Sequence, residues 1–290
     1  MRQRPGMARI NIEVEGGLLI AADELGPRGA PTVILGHGGG QTRHSWSKAG
    51  EELAAAGYHV LNYDLLGHGE SAWEPGGDYS LARRARDLVA ITARGSHTYA
   101  YVGASLGGAT ALAAASMGAE PAAIILVDIV PLLPREGTSR IRDFMTGNPD
   151  GFASLEEAAD AISAYNPERP RPSSLEGLRK NLREGPDGRF HWHWDPRMMM
   201  PGRMDEGFIL RVMDEADWTD RIPTLLVRGM KSDIVTDEGV ADLRRRIPEV
   251  EVANIGGAGH MVAGDRNDQF NAAVSDFLGR VMPVAAASLA

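Results

Sequence analysis

The chain has 290 residues, 43% hydrophobic and 24% charged, with 30 basic against 39 acidic side chains and no cysteine. Such a balance buries a sizeable core, while a net charge of −9 argues against a nucleic-acid partner, because neutralising phosphates needs clustered Lys and Arg. The lack of cysteine excludes disulfides, thiolate nucleophiles and Cys-ligated zinc together.

The first ten residues, MRQRPGMARI, are basic without an apolar stretch behind them, so they do not read as a secretory signal. No apolar run reaches the ~18 residues of a spanning helix. The expected setting is the cytoplasm, away from membranes. Ile10, Ile12 and Val14 alternate with polar residues as a half-buried strand does, and Gly16-Gly17 turns the chain into a second short strand over 18–21. From Thr32 the pattern changes to compact apolar runs, "TVILG", "HVLNYD", "YAYVG", "AAIILVD" and "TLLVRG". Runs apolar on both faces belong to a parallel sheet covered by helices.

Helices are expected between those runs, over 47–56, 81–93 with Ser80 as N-cap, 106–117, and after Thr236, where an acidic start and basic end suit the helix dipole. A last helix puts Phe270, Val274, Phe277 and Leu278 on one face. The basic runs at Arg83, Arg84 and Arg86 and at 244–246 read as solvated helix faces. Between Pro134 and Asp217 the α/β rhythm stops. Helical patches at 140–145, 155–165, 175–182 and 204–216 surround proline-rich "NPERPRP" and aromatic "FHWHWDPRMMM". The fold class predicted is α/β, a mostly parallel central sheet with helices on both faces. Residues 1–133 and 218–290 form its core, and 134–217 form an inserted, mainly helical cap.

The stretch "YVGASLGGAT" sets Ser105 between Gly103 and Gly107, after a buried run and before a helix. A strand turning that sharply into a helix forces its middle residue into a strained backbone and raises the hydroxyl above the sheet, at a helix N-terminus. Such a nucleophile needs a base and an orienting acid, in the chain order Ser, acid, His. His260 in "GGAGHM" satisfies the order. His191 and His193 lie in the insertion and read as packed or solvent-facing, since no third residue completes a metal set. For the acid, Asp233 in "GMKSDIV" stands a few residues past a buried strand on the rim where open α/β sheets bind ligands. Asp128, after the preceding strand, is the alternative. Gly38-Gly39-Gly40 follows another strand and offers the Gly39 N–H to an oxyanion, with the Leu106 N–H as second donor. The same loop lacks the Lys-Ser/Thr pair of a phosphate loop and the G-x-G-x-x-G fingerprint.

Together these residues resemble the α/β-hydrolase fold family. The likeness rests on His37 to Gly40, on "YDLLGHGES" (Asp64, Gly67, His68, Gly69, Ser71), on Gly103 to Gly107, on Asp233 and on His260, over about 200 residues flanking the cap. In that family the second motif commonly reads D-x-R-G-x-G-x-S. Leu66 here replaces the arginine, which bears on the ion pairing of that loop and leaves the triad untouched. His68 takes a structural role. The resemblance implies a hydrolase without cofactor or metal, acting on a small-molecule carboxylic ester through an acyl-enzyme. The same triad also serves C–C bond hydrolysis, lactone opening or perhydrolysis, and some family members only bind small molecules. An aspartate nucleophile, as epoxide hydrolases and haloalkane dehalogenases need, is excluded by Ser105. Phe144, Trp192, Trp194, Met199 (within Met198–Met200) and Phe208 are the expected pocket lining. The oligomeric state is not legible from the sequence.

Overall fold

The structure is a computed structural model describing residues 6–167, 175–199 and 207–284. The sequence begins its ordered course with β1 (Met7–Val14), one tight turn at Glu15–Gly17 and β2 (Leu18–Leu25), then β3 (Thr32–Gly36) and α1 (Ser47–Ala55). Next come β4 (His59–Tyr63), α2 (Leu81–Thr92), β5 (Tyr99–Ala104), α3 (Leu106–Ser116) and β6 (Ala123–Val127). After the insertion, β9 (Thr224–Gly229), α7 (Asp237–Arg246), β10 (Glu251–Ile255), the short α8 (Val262–Asp265) and α9 (Asn267–Val281) finish the chain. The eight strands lie in the order β1-β2-β4-β3-β5-β6-β9-β10. Only β1/β2 and β2/β4 pair antiparallel, so six neighbouring strands form the parallel body.

Side chains of the apolar runs alternate between two cores, as a period of two requires. Ile34, Ile124 and Leu126 pack with α2, α3 and the insertion, whereas Val33, Leu35, Ile125 and Val127 pack with Trp46, Phe270 and Phe277 from the α1 and α9 side. The central strands β3, β4 and β6 are therefore buried on both faces. The expected caps form: Ser80 Oγ accepts from Arg83 N at 3.2 Å and Thr236 Oγ1 from Gly239 N at 3.1 Å. None of the described helices is long and apolar enough to cross a membrane.

Between β6 and β9 the described chain forms α4 (Arg135–Thr146), α5 (Leu155–Tyr165), a short antiparallel pair β7 (Leu182–Glu184) and β8 (Phe190–Trp192), and α6 (Phe208–Asp214). The strand pair is an addition to the expected helices, and the segment anticipated as helix over 175–182 is a 3₁₀ stretch. Residues 204–206 of the last helical patch, most of the proline-rich tract, Met200 and the C-terminal six residues lie outside the described residues.

Residues 183–198 are fastened to the loop that follows β4. Arg183 donates to Gly69 O (2.7 Å), Asp195 N to Gly67 O (2.9 Å), and Arg197 to Glu74 O and Pro75 O (2.9 Å each). This seam also overturns the reading of the basic run in α2 as a solvated face. Arg83 and Arg84 are buried, Arg83 on Asp87 and Arg84 on the carbonyls of Tyr79 and Leu66 and on Met198 Sδ. Met198 of the insertion covers Arg84, and the β1–β2 turn covers Arg83, whose guanidinium also donates to Glu15 O at 2.8 Å. Where the family motif has its arginine, Leu66 offers its carbonyl to Arg84. Asp64 is instead paired with Arg43, itself wholly buried, and takes the N–H groups of Arg43 (2.7 Å) and Glu70 (2.9 Å).

The turn between β5 and α3 depends on glycine for space. A Cβ on Gly107 would lie 2.3 Å from Gly36 O, and one on Gly103 2.3 Å from Gly107 C. Both neighbours are backbone and neither can yield, so Gly107→Ala is expected to cost more than about 2 kcal/mol in urea unfolding. Gly279→Ala, on an exposed turn of α9 with open space around it, should be neutral or gain up to about 1 kcal/mol.

Candidate active site

Ser105 stands where β5 ends, with φ 46° and ψ −111°, a region that a residue with a side chain seldom occupies. Its N–H donates to Val127 O at 3.0 Å, tying the turn to the end of β6. Ala104 is the partner of Val127 in the sheet, so Ser105 and Asp128 are the residues that follow the ends of adjacent strands. Asp128 also has positive φ, 51°, which aspartate tolerates better than most residues.

Asp128 is fully buried and held by three donors. Gly229 N lies 3.0 Å from Oδ1, Ser232 Oγ donates to Oδ2, and His260 Nδ1 is 2.7 Å from Oδ2. The loop carrying His260 is laced over the end of β9 by Met230 N to Ile255 O (3.1 Å) and Lys231 N to Ala258 O (2.8 Å). The imidazole thus arrives beside the end of β6, one strand from Ser105. No hydrogen bond joins Ser105 Oγ to His260 among the described residues, a contact that often tightens only when substrate is bound.

The structure does not bring Asp233 to His260. After β9 the chain turns tightly, Ser232 N donating to Gly229 O at 3.0 Å. That turn points Ser232 inward and sends Asp233 out to the rim, where it pairs with Arg140 of α4 at 3.0 Å and is 39% exposed. Ser232 escaped the sequence reading altogether. Its Oγ also accepts from Ile234 N (3.1 Å) and Val235 N (3.3 Å), which leaves its hydroxyl proton for Asp128.

Gly39 and Leu106 lie close together, since a Cβ on Gly39 would sit 4.0 Å from Leu106 Cδ2 and 3.5 Å from Met145 Sδ. Neither N–H has an acceptor among the described residues. Three imidazoles surround this loop. His37 Nδ1 lies 2.8 Å from Gly38 O, His68 Nε2 accepts from Gly40 N at 3.2 Å, and His193 Nε2 lies 3.3 Å from Gly40 O. His68 sits between the other two, ring centroids 5.0 and 5.9 Å away. Burial pushes His37 down to about 4 and His193 to about 3, and holds His68 well below the ordinary range. His193 is therefore packed, as expected; His191 meets Asp187 at 3.1 Å nearer the surface. Among the described residues no group of three His, Cys, Asp or Glu stands ready to hold a metal.

Of the expected lining residues, Trp194 reaches the loop: a Cβ on Gly40 would touch its ring at 3.3 Å. Trp192 stacks on Trp194 at 4.8 Å and Phe144 on Tyr165 at 4.3 Å, which makes these rings largely the core of the insertion. Met199 and Phe208 are partly buried against the same cluster. Met145, unnoticed in the sequence, lies closer to Gly39 than any of them.

A sheet of this order, with its strained serine and its Asp–His pair on the carboxyl rim, defines a hydrolase fold, and the chain belongs to the α/β-hydrolase fold family, whose model matches residues 31–266. It is 32% identical over 246 residues to esterase Rv0045c of Mycobacterium tuberculosis, covering 82% of this chain and 79% of that protein. A solved structure of that esterase superposes with a TM-score of 0.75 at 27% identity, over 95% of this chain and 93% of that one. The 3-hydroxybutyrate-oligomer hydrolase of Cupriavidus necator is 27% identical over 259 residues, 82% of this chain and 87% of its own. An α/β hydrolase from Novosphingobium aromaticivorans superposes with a TM-score of 0.81 at 23% identity, over 96% and 100% of the two chains, a likeness of fold.

The buried imidazoles give a pH signature. Their folded pKa values are depressed, so the unfolded chain takes up protons below about 6.5 while the fold does not, and stability is lost as pH falls towards 4 and 3. Between pH 6.5 and 5.0 His37 and His193 should each remove between about 1 and 2 kcal/mol from the urea-unfolding free energy. Ordinary carboxylates contribute little in that window. A flat profile there is incompatible with neutral, buried imidazoles.

Proposed function

We propose that the chain is a serine esterase that hydrolyses a small-molecule carboxylic ester through an acyl-enzyme, with Ser105 as nucleophile, His260 as base and Asp128, in place of Asp233, as the orienting acid. The observation that carries this reading is the 2.7 Å contact of His260 Nδ1 with a buried Asp128 on the strand next to Ser105. An acceptor on Nδ1 fixes that proton in place and frees Nε2 to take another.

Ser105 Oγ attacks the ester carbonyl as His260 Nε2 removes its proton. The tetrahedral oxyanion is bound by the N–H groups of Gly39 and Leu106, the latter at the first turn of α3, where the helix dipole favours negative charge. The imidazolium, stabilised by Asp128, protonates the leaving alcohol. Water then enters, loses a proton to His260, and attacks the acyl carbonyl, and collapse of the second intermediate returns Ser105 and releases the acid. No step calls for a metal or organic cofactor. Residues 134–217 act as the cap, and Met145, Phe144 and Trp194 present an apolar surface to the acyl side of the substrate. The esterase name of the relative at 32% identity supports the same reading.

With p-nitrophenyl esters, Ser105→Ala should lower kcat by on the order of 10⁴ or more at unchanged fold. Asp128→Asn should cost on the order of 10³–10⁴, because the imidazole then adopts the wrong tautomer, whereas Asp233→Asn, which loses one exposed ion pair, should stay within about threefold. The reverse ranking of the two aspartates would return the acid to Asp233.

A further inference from the structure

Glycine gives the segment Gly38-Gly39-Gly40 the freedom to approach a substrate, and that same freedom lets its peptide planes rotate. An oxyanion donor is useful only when it is already aimed. Each of the three successive peptide planes from Gly38 to Gln41 is held by a different imidazole. Gly38 O is fixed by His37 Nδ1 (2.8 Å) and by Gln41 N (3.1 Å), which turns the N–H of the same trans peptide, that of Gly39, to the opposite side. Gly40 N–H ends on His68 Nε2, and Gly40 O meets His193 Nε2.

The proton positions follow from the backbone. A backbone N–H only donates, so the ring nitrogen facing it must be bare. Leu65 N faces His37 Nε2 at 3.0 Å, leaving the proton on Nδ1 for Gly38 O. Gly69 N faces His193 Nδ1 at 2.8 Å, leaving the proton on Nε2 for Gly40 O. His37 and His68 belong to the core of the sheet, but His193 is carried by the insertion, just after β8, on the segment whose neighbours Arg183 and Asp195 are bonded to Gly69 O and Gly67 O.

We infer that His193 is a positioning residue of the esterase: standing between the Gly69 N–H and the Gly40 carbonyl, it makes the seating of the insertion and the aim of the Gly39 oxyanion donor a single event. The inference rests on the esterase reading, but its test separates the two. An asparagine at 193 keeps an acceptor near the place of Nδ1, and so the bond from Gly69. A glutamine places its amide near Nε2, and so keeps the bond to Gly40. If aiming Gly40 is the function, His193→Gln should hold kcat within about threefold. His193→Asn should lose about tenfold in kcat with KM within about twofold, less than the 10²–10³ for deleting an oxyanion donor outright because the 3.3 Å bond is long. Rates are taken per active site titrated with a fluorophosphonate, so that misfolded protein does not count. Equal kcat in the two variants, or a change in KM alone, overturns the inference. A second measurement needs no variant: in histidine-¹⁵N-labelled wild type at pH 7, His193 should be the Nε2–H tautomer while His37 and His68 are Nδ1–H, and His193 as Nδ1–H overturns the clamp. Full turnover by Ser105→Ala would sink the esterase reading while leaving that tautomer result standing.

Discussion

The contact on which the site depends is between backbones: Gly107 of α3 lies so close to Gly36 at the end of β3 that a Cβ would come within 2.3 Å of its carbonyl oxygen. That approach pins the first turn of α3 against the sheet, and Ser105, caught between β5 and a helix that cannot move away, is held at a φ it would leave if free. Strain of this kind costs about 1–3 kcal/mol and persists only where the surroundings over-determine it. Here the surroundings are two strands and a dry core, and the return is a hydroxyl raised to the rim with a helix N-terminus behind it.

The rest of the site follows the same economy. Charged and polar groups near the rim are each held by several partners: Asp128 by three donors, Asp64 by Arg43 and two backbone N–H groups, and the imidazoles by one accepted and one donated bond apiece. A buried charge or ring nitrogen without such partners would destabilise the fold by more than its chemistry is worth. Preorganisation and stability are therefore met by the same bonds.

Much of this was legible in the residues. Alternation in β1, double-sided apolar runs in the parallel strands and the small residues at 103, 105 and 107 announce the sheet and the turn, because each pattern follows from local sterics. The His260 loop could be found from chain order. Between the two aspartates offered for the acid, Asp233 and Asp128, chain order does not choose, because counting residues past β9 ignores the phase of the turn. One hydrogen bond, Ser232 N to Gly229 O, decides which side chain faces inward. The signal for Asp128 was an aspartate closing an otherwise apolar strand, at a position where positive φ is tolerable. Arg83 and Arg84 were misread for a related reason: helical periodicity shows which faces exist, and a distant segment determines which of them are covered.

With Asp128 rather than Asp233 against His260, the segment after β9 makes other contacts. Ser232 donates to Asp128, while Asp233 pairs with Arg140 on α4, with both side chains substantially open to water. An exposed pair of that kind is worth little and fades as ionic strength rises, whereas residues 183–198 are riveted by backbone acceptors that salt barely touches. The two attachments of the insertion therefore respond unequally to salt: the tie at residues 183–198 persists while the Arg140–Asp233 pair weakens.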